Sequence, residues 1–518
     1  YLNHSYFGNG VWGVQDASKK YFNKDAADLS ISEGATIAGM LKAPSNYNPI
    51  DDYKRSIERR NIVLKLMADT EKISEEEKIQ ASNQEIKVND GYERVDDYRY
   101  PYYFDAVISE AINQYDFDEE DIMNGGYKIY THLNQKQQQE MDKVYANDSL
   151  FESKADGEQA QSASIAIEPN SGGVVSVVGG RGEHVYRGFN RATQMRRQPG
   201  SVIKPLSVYA PALESGYELT DLLIDEKQDY GEGESLYSPS NYDQQYAGEI
   251  PMYQALAESK NAATVWLLDD IGIKKGYNKA RRFGIKMREE DYHYGAVALG
   301  GMSKGTSPME IASAYSTFAN EGVRMDAHFI KKIVDPTGAV LVDNHKVKKR
   351  RVLSKAVTEQ MNQMLLHVFS DGSGKSIQPG NFKLAGKTGT TQTESREGST
   401  DQWVVAYTPN LVITSWQGYD NNNENQHLTS QTTQGIGQVI KKEFEAMYPY
   451  TAGEEFALSD EKMEAMIKDK ERRENIERIK EGIQKGEEIF REAKDKAKSG
   501  LKKATEGLKN IFDQFNNR

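Results

Sequence analysis

The stretch Gln161-Ser-Ala-Ser-Ile-Ala-Ile-Glu168, the turn Pro169-Asn-Ser-Gly-Gly173 and the run Gly173-Val-Val-Ser-Val-Val178 decide how the fold is read. Two short runs rich in β-branched residues, joined by proline, asparagine and glycine, predict a β-hairpin. Working outward, helical spacing follows between Val202 and about Leu268 and again from Pro308 to Ala319. Strand patterns then resume at Phe382–Ala385, Gln402–Tyr407 and Leu411–Trp416. Strands at both ends with helices between them predict an α+β unit whose mixed sheet is assembled from distant parts of the chain.

Upstream, Gly125-Gly126 leads into an alternating run, Tyr127-Lys-Ile-Tyr-Thr-His-Leu133, and then a helix over Gln135–Tyr145. The charged, apolar-poor stretch from Lys72 to Tyr100 reads as a boundary. Before it the spacing predicts a helix from Ala26 to Leu41, stopped at Ala43-Pro44, and another from Arg55 to Met67. After the sheet comes a highly charged tail. Ile479, Ile483, Phe490, Ala493, Ala497, Leu501, Ala504, Leu508, Phe512 and Phe515 form one stripe of an amphipathic helix there. Solvation or packing on a partner is the plainer expectation for it, and membrane-surface contact from Lys494 onward the sharper one. The divisions expected are 1–75, 76–160, 161–445 and 446–518.

At 518 residues the chain can bury several cores. It contains no cysteine, which excludes thiolate nucleophiles, iron–sulfur clusters and disulfides. A net charge of −13 argues against nucleic acid as a partner. The eight histidines are scattered without a His-x-x-x-His pair, so neither a metal nor any other cofactor is expected. No apolar run is long enough to span a bilayer.

Three short elements occur in order: Ser201-Val-Ile-Lys204, Ser259-Lys-Asn261 and Lys387-Thr-Gly-Thr390. Ser-x-x-Lys alone is close to noise, because it recurs at Ser459–Lys462 and Ser499–Lys502 in the charged tail. Ser201 differs in following the turn Gln198-Pro-Gly200 and preceding the apolar Val202-Ile203, which places it in the first turn of a helix entering a core. Lys204 returns to the same face one turn later. A serine hydroxyl is a weak nucleophile until a base removes its proton, and a buried lysine can be that base. Ser259 offers a proton relay and Asn261 an amide to orient a peptide group, at the end of a helix expected over Tyr253–Ser259. Lys387–Thr390 is expected to follow the strand Phe382–Ala385, with Gly389 allowing close backbone approach and the Thr390 N–H completing an oxyanion hole.

These elements, in this order, are those of penicillin-binding proteins and class A β-lactamases. More of the chain resembles the transpeptidase domain of class A, bifunctional penicillin-binding proteins. The residues that carry this are Phe189-Asn-Arg-Ala-Thr193, Arg197-Gln-Pro-Gly-Ser201-Val-Ile-Lys204-Pro205, Tyr237-x-Pro239-x-Asn241-Tyr242, Ala385-Gly-Lys-Thr-Gly-Thr-Thr-Gln392 and Asp401-x-Trp403 with Tyr407-Thr-Pro409. Upstream, Tyr6-Phe-Gly8, Glu33-x-Ala35, Lys42-Ala-Pro44, Asn48-Pro49 and Arg59-Arg60 resemble the closing part of the family's all-α glycosyltransferase domain.

The resemblance implies a penicillin-binding, serine β-lactamase-like transpeptidase fold. It makes Ser201 the acylated nucleophile, Lys204 its base, and Ser259 with Asn261 the second catalytic element. Lys387, Thr388, Gly389 and Thr390 would bind the substrate's carboxylate and main chain. The implied reaction is attack on a D-alanyl-D-alanine bond and transfer of the acyl group to an amine. Implied partners are peptidoglycan stem peptides, the lipid-linked glycan precursor, β-lactams and the cell-wall synthesis machinery, at the extracytoplasmic face of the membrane.

The family's upstream glycosyltransferase motifs are not found, and Glu33 reads as structural. Opening on Tyr1, the chain reads as a piece of a longer enzyme whose membrane anchor and early glycosyltransferase residues are missing, with no polymerising activity expected of it. The short linker leans toward a Gram-positive source. A carboxypeptidase or β-lactam hydrolase is the nearest alternative, although no Glu-x-x-Leu-Asn element lies between Asn261 and Lys387. A penicillin-acylated sensor or scaffold is the other.

Overall fold

The computed structural model describes residues 2, 5–92, 99–152, 157–231, 233, 236–345, 347–393, 398–421 and 426–456, with 468, 472, 485, 486, 491, 494 and 496–510 of the tail. The first part is helical: Val14–Phe22, Ile31–Met40, Tyr53–Asp69 and Glu75–Asn83. The single helix expected from Ala26 is broken into a 3₁₀ turn, Ala26–Asp28, and a helix beginning after Ser30. The break has a local cause. Ser30 accepts from the Glu33 N–H at 3.3 Å, and the Glu33 carboxylate accepts from the Ser30 N–H at 2.9 Å, a reciprocal cap that fixes the start. Glu33 is thus committed to holding a helix terminus, and Lys24 pairs with it at 2.8 Å. This part has its own apolar clusters, one built on Phe7, Tyr21, Phe22, Ile37 and Met40, the other on Ala35, Leu64 and Ala81.

The main sheet has five strands in the order Ala385–Gln392, Ser399–Thr408, Leu411–Gly418, Gln161–Glu168, Gly173–Val178. The expected hairpin is its far edge, and distant segments do assemble it. All four pairings are antiparallel, so the pairing is uniform and the parallel pairing that a mixed sheet implies is not among them. Because side chains alternate faces, Trp403, Val405 and Tyr407 share one face with their cross-strand partners Trp416, Thr414 and Val412. The helix Pro308–Ala319 covers that side, with the Tyr315 and Tyr407 ring centroids 6.3 Å apart. The other face carries Gln402, Ser415, Gln417, Ser162 and Ser164 beneath the helix Ile436–Met447, which contributes the buried Glu443. The sandwich is helix, sheet, helix.

The expected helix Gln135–Tyr145 is present, capped by Asn134. The strand before it, Lys128–Thr131, pairs with Ile330–Val334 some 200 residues later. The helical expectation from Val202 to Leu268 is interrupted by a small sheet, Leu222–Asp225 with Gly248–Pro251. The helices that flank it are Met252–Ala257 and Asn261–Ile271. The helix Lys355–Ser370, absent from the sequence reading, packs beside the edge strand, and Asn362 on it accepts from the Tyr407 hydroxyl at 2.6 Å.

Of the tail stripe, Ile479, Ile483, Phe490, Ala493, Phe512 and Phe515 lie outside the described residues. Leu501 and Leu508 lie on a helical stretch with their side chains exposed. Among the described residues no helix is long and apolar enough to cross a membrane.

Candidate active site

Ser201 sits in a 3₁₀ turn, Gly200–Ile203, that leads through Lys204 into a wide π turn, Pro205–Tyr209, and an α turn, Ala210–Glu214. Pro205 has no N–H to give an α ladder, so the register changes there. The turn before Ser201 is tied to the rest of the fold by its carbonyls. Gln198 O accepts from Trp403 Nε1 at 2.9 Å and Thr391 Oγ1 at 3.2 Å, and Val202 O accepts from the Tyr315 hydroxyl at 2.7 Å.

Two glycines let other backbones close on this turn. A Cβ on Gly389 would lie 2.7 Å from Pro199 O, and one on Gly300 would lie 2.4 Å from Gly200 O. Gly200 itself has φ +55°, and a Cβ on it would meet Thr390 O at 2.8 Å and Thr390 N at 3.2 Å. The turn bearing Ser201 therefore lies against the Thr390 main chain, where an oxyanion site made from both N–H groups would have to be.

Lys204 is completely buried. Its Nζ donates to Ser259 O at 2.7 Å, Asn261 Oδ1 at 2.7 Å, Lys260 O at 3.2 Å and Ser259 Oγ at 3.4 Å. Ser259 holds a left-handed conformation, φ +61°, which turns its hydroxyl and carbonyl toward the same amine. It lies in the link between helices Met252–Ala257 and Asn261–Ile271, two residues beyond the end of the first, so the helix expected to run to Ser259 stops short of it.

Lys387 is likewise completely buried, and its Nζ donates to Ser259 Oγ at 2.9 Å and Thr388 O at 2.9 Å. Here the sequence expectation is corrected: Lys387–Thr390 does not follow a strand ending at Ala385 but lies within the edge strand Ala385–Gln392. Its register, Lys387 to Val405 through Thr390 to Gln402, fixes the segment from one side only, since the strand ends the sheet. Alternating threonine carries the strand forward where the sequence shows mostly glycine and polar residues.

Ser201, Ser259, Asn261, Thr388, Gly389 and Thr390 line one cavity of about 390 Å³, with Lys204 and Lys387 beneath its floor. All eight residues singled out from sequence are thereby brought together. Of the two other Ser-x-x-Lys matches, Ser499 lies exposed on the tail helix and Ser459 lies outside the described residues.

Two ammonium groups converge on one hydroxyl, and burial resolves the conflict. Burial, then the Lys387 charge, holds the Lys204 amine well below the ordinary lysine range, with Asp225 opposing. Burial pushes Lys387 down to about 7. The pair can accept a proton at one member while the other carries positive charge, which is what acid–base chemistry on a serine needs.

Residues not singled out from sequence complete the site. Asn241 Oδ1 accepts from the Asn261 and Ala262 N–H groups at 2.7 and 3.0 Å and so caps the helix that presents Asn261. Its place in Tyr237-x-Pro-x-Asn241 was visible, but the helix it caps begins 20 residues later. Ser373 Oγ meets Thr388 Oγ1 at 3.0 Å, and Thr432 Oγ1 meets Thr390 Oγ1 at 2.6 Å. Both arrive by tertiary folding, with no local signal.

Comparison with known proteins gives the chain a family. Residues 163–438 match the family model described as the penicillin binding protein transpeptidase domain, and residues 1–68 match a transglycosylase model. Penicillin-binding protein 2a of Streptococcus pneumoniae is 43% identical over 472 residues, covering 89% of this chain and 63% of that protein. Penicillin-binding protein 1F of Bacillus subtilis is 38% identical over 432 residues, covering 83% of this chain and 58% of that protein. The chain thus spans about three fifths of the length of these relatives. The crystal structure of penicillin-binding protein 1A from Haemophilus influenzae superposes with a TM-score of 0.57 at 25% identity, covering 89% of this chain and 86% of that one. The transpeptidase match, preceded by the transglycosylase match, makes the chain a member of the class A penicillin-binding proteins, of the Gram-positive type.

Proposed function

We propose that this chain is a serine-type D,D-transpeptidase that cross-links peptidoglycan stem peptides. Ser201 Oγ attacks the carbonyl carbon of the penultimate D-alanine, and Lys204 Nζ takes the hydroxyl proton. The tetrahedral oxygen is held by the Ser201 and Thr390 N–H groups. The carbon–nitrogen bond breaks, D-alanine leaves carrying a proton, and an ester joins the peptide to Ser201. An amine of a neighbouring peptide then attacks the ester and restores the serine. Lys387 holds the substrate's terminal carboxylate, while the main chain of Thr388–Thr390 pairs with the extended peptide. β-Lactams acylate the same serine.

The single observation that supports this reading most is the meeting of Lys204 and Lys387 at Ser259 Oγ, 3.4 and 2.9 Å away, below a cavity lined by Ser201 and an edge strand. The lipid-linked glycan precursor, the cell-wall machinery and the extracytoplasmic membrane face belong to the same reading of the intact enzyme. No glycan-polymerising residue is assigned in the transglycosylase-like segment.

Intact-mass measurement after exposure to benzylpenicillin tests it. A persistent single adduct on the peptide containing Ser201 is expected, absent in Ser201→Ala, together with amine-dependent release of D-alanine from a donor peptide or thioester. Rapid loss of the adduct as hydrolysed penicillin would make the protein a hydrolase. An adduct with no amine-dependent release would make it a sensor or scaffold.

A further inference from the structure

Asp225, at the end of strand Leu222–Asp225, is completely buried. One carboxylate oxygen accepts from Asn241 Nδ2 at 2.8 Å and the other from the Ala247 N–H at 2.9 Å. Among the described residues no ammonium or guanidinium pairs with it, so these two neutral N–H donors are what hold it. What it does have is a connected path to the candidate base. Asn241 Oδ1 accepts from the Asn261 N–H at 2.7 Å, and Asn261 Oδ1 accepts from Lys204 Nζ at 2.7 Å. Asn261 Nδ2 is tied off on Ser240 O at 2.9 Å, so its oxygen is turned to the lysine by a fixed amide.

The charges around Lys204 come from three elements. Lys387 faces it from the edge strand, sharing Ser259 Oγ. Lys260, beside it in sequence, turns its ammonium away to Asp243 at 3.0 Å, with Glu258 at 3.9 Å. Asp225 faces it from the small sheet and is the anion whose field opposes burial and the Lys387 charge. Lys204 and Lys387 meet at Ser259 Oγ, and Asp225 is the buried anion on the far side of Lys204, linked to it by the Asn241 amide and by Asn261, whose main-chain N–H faces Asn241 and whose side-chain oxygen faces the lysine.

We propose that Asp225 is a positioning residue for the acylation reaction: through Asn241 and Asn261 it orients the Lys204 amine, and its carboxylate sets the pH at which that amine can take the Ser201 proton. This rests on Lys204 being the base.

The test is the second-order rate of acylation by a chromogenic penicillin from pH 5 to 10, measured on the full chain and its variants. Asp225→Asn and Asp225→Ser should move the acid limb to lower pH by about half a unit to one unit, because a neutral residue no longer stabilises the protonated amine. Asp225→Glu, which keeps the charge, should leave the limb in place. Asn241→Ser should lower the rate across the whole range, by about tenfold, without moving the limb. A uniform loss of rate in the neutral variants with an unmoved limb would overturn the proposal, as would failure of all three Asp225 variants to fold. Lys204→Ala separates the two layers: if it keeps the parental rate and acid limb, the assignment of Lys204 itself falls.

Discussion

Lys387 is where a single side chain sets a measurable limit. Burial pushes its amine down to about 7, so the cationic form, proposed to hold the substrate's carboxylate, is lost as pH rises through neutrality. The second-order rate of acylation should therefore fall above about pH 7, while the rate at saturation falls less, because a bound carboxylate restores the proton. Lys387→Arg should move that limb beyond the accessible range, since a guanidinium keeps its charge. A pH profile unchanged in the variant would exclude Lys387 as the titrating group. At Lys204 the corresponding expectation is a loss of about 10²–10⁴-fold in acylation on change to alanine, the usual contribution of a positioned base. These residues were legible because each belongs to a short element with its own chemistry. Asp225 and Thr432 were not, since nothing beside them in sequence announces the partner that gives them meaning.

At the scale of elements, the turn that carries Ser201 is held by backbones in contact, and Gly300 is the place to test it. It has φ +80°, and an added Cβ would sit 2.4 Å from Gly200 O. Gly300→Ala should cost about 1–3 kcal/mol of stability and lower acylation far more than that loss implies, because the turn must shift. Calorimetry and penicillin labelling on the same sample would show whether the two effects separate.

The helix Ile436–Met447 offers the converse case. Glu443 is completely buried, accepts from Ser415 Oγ at 2.8 Å, and is pushed by burial from the ordinary 4.5 up to about 7. The folded state therefore binds this proton more tightly than the unfolded one. Below pH 4.5 both states are protonated, stability falls as pH rises from 4.5 to 7, and the cost is complete above 7. Glu443→Gln should be more stable than the parent at pH 8, by about 2–3 kcal/mol, with the difference vanishing toward pH 4.5. Equal stability at both pH values would refute it. Neither this helix nor Lys355–Ser370 was anticipated from the sequence. The hairpin was, because alternation and turn residues are local signals; Ile436, Val439, Ile440, Phe444 and Met447 also fall at helical spacing, as do Met361, Met364, Leu365 and Val368, so both helices had a local signal that went unread.

Across the whole molecule, sequence order and spatial order diverge. Ser162 Oγ donates to Trp416 O at 2.6 Å across 254 residues, and the strand Lys128–Thr131 pairs with Ile330–Val334. Motif order could indicate that the three elements meet, but not that Lys387–Thr390 forms the sheet's edge. That follows only from the pairing of Ser399–Thr408 with both of its neighbours. The α+β character was legible from strands at both ends, while antiparallel direction throughout depends on how the crossing helices return the chain.

The central position of Leu411–Gly418, between the hairpin and the two strands that carry the site, has a temporal meaning. During synthesis Ser201 is made early, yet the strand that joins its half of the sheet to Thr390 is the last of the five to be completed. Until residue 418 exists, the hairpin and the pair Ala385–Gln392 with Ser399–Thr408 each present an unpaired edge. A chain interrupted before residue 418 should therefore be inactive toward penicillin and prone to aggregate. A chain stopped at residue 410 should take up no penicillin and should be digested by protease at concentrations that leave the full chain intact. On the proposed mechanism, Ser201 would become reactive only once residue 418 has joined its half of the sheet to Lys387 and Thr390.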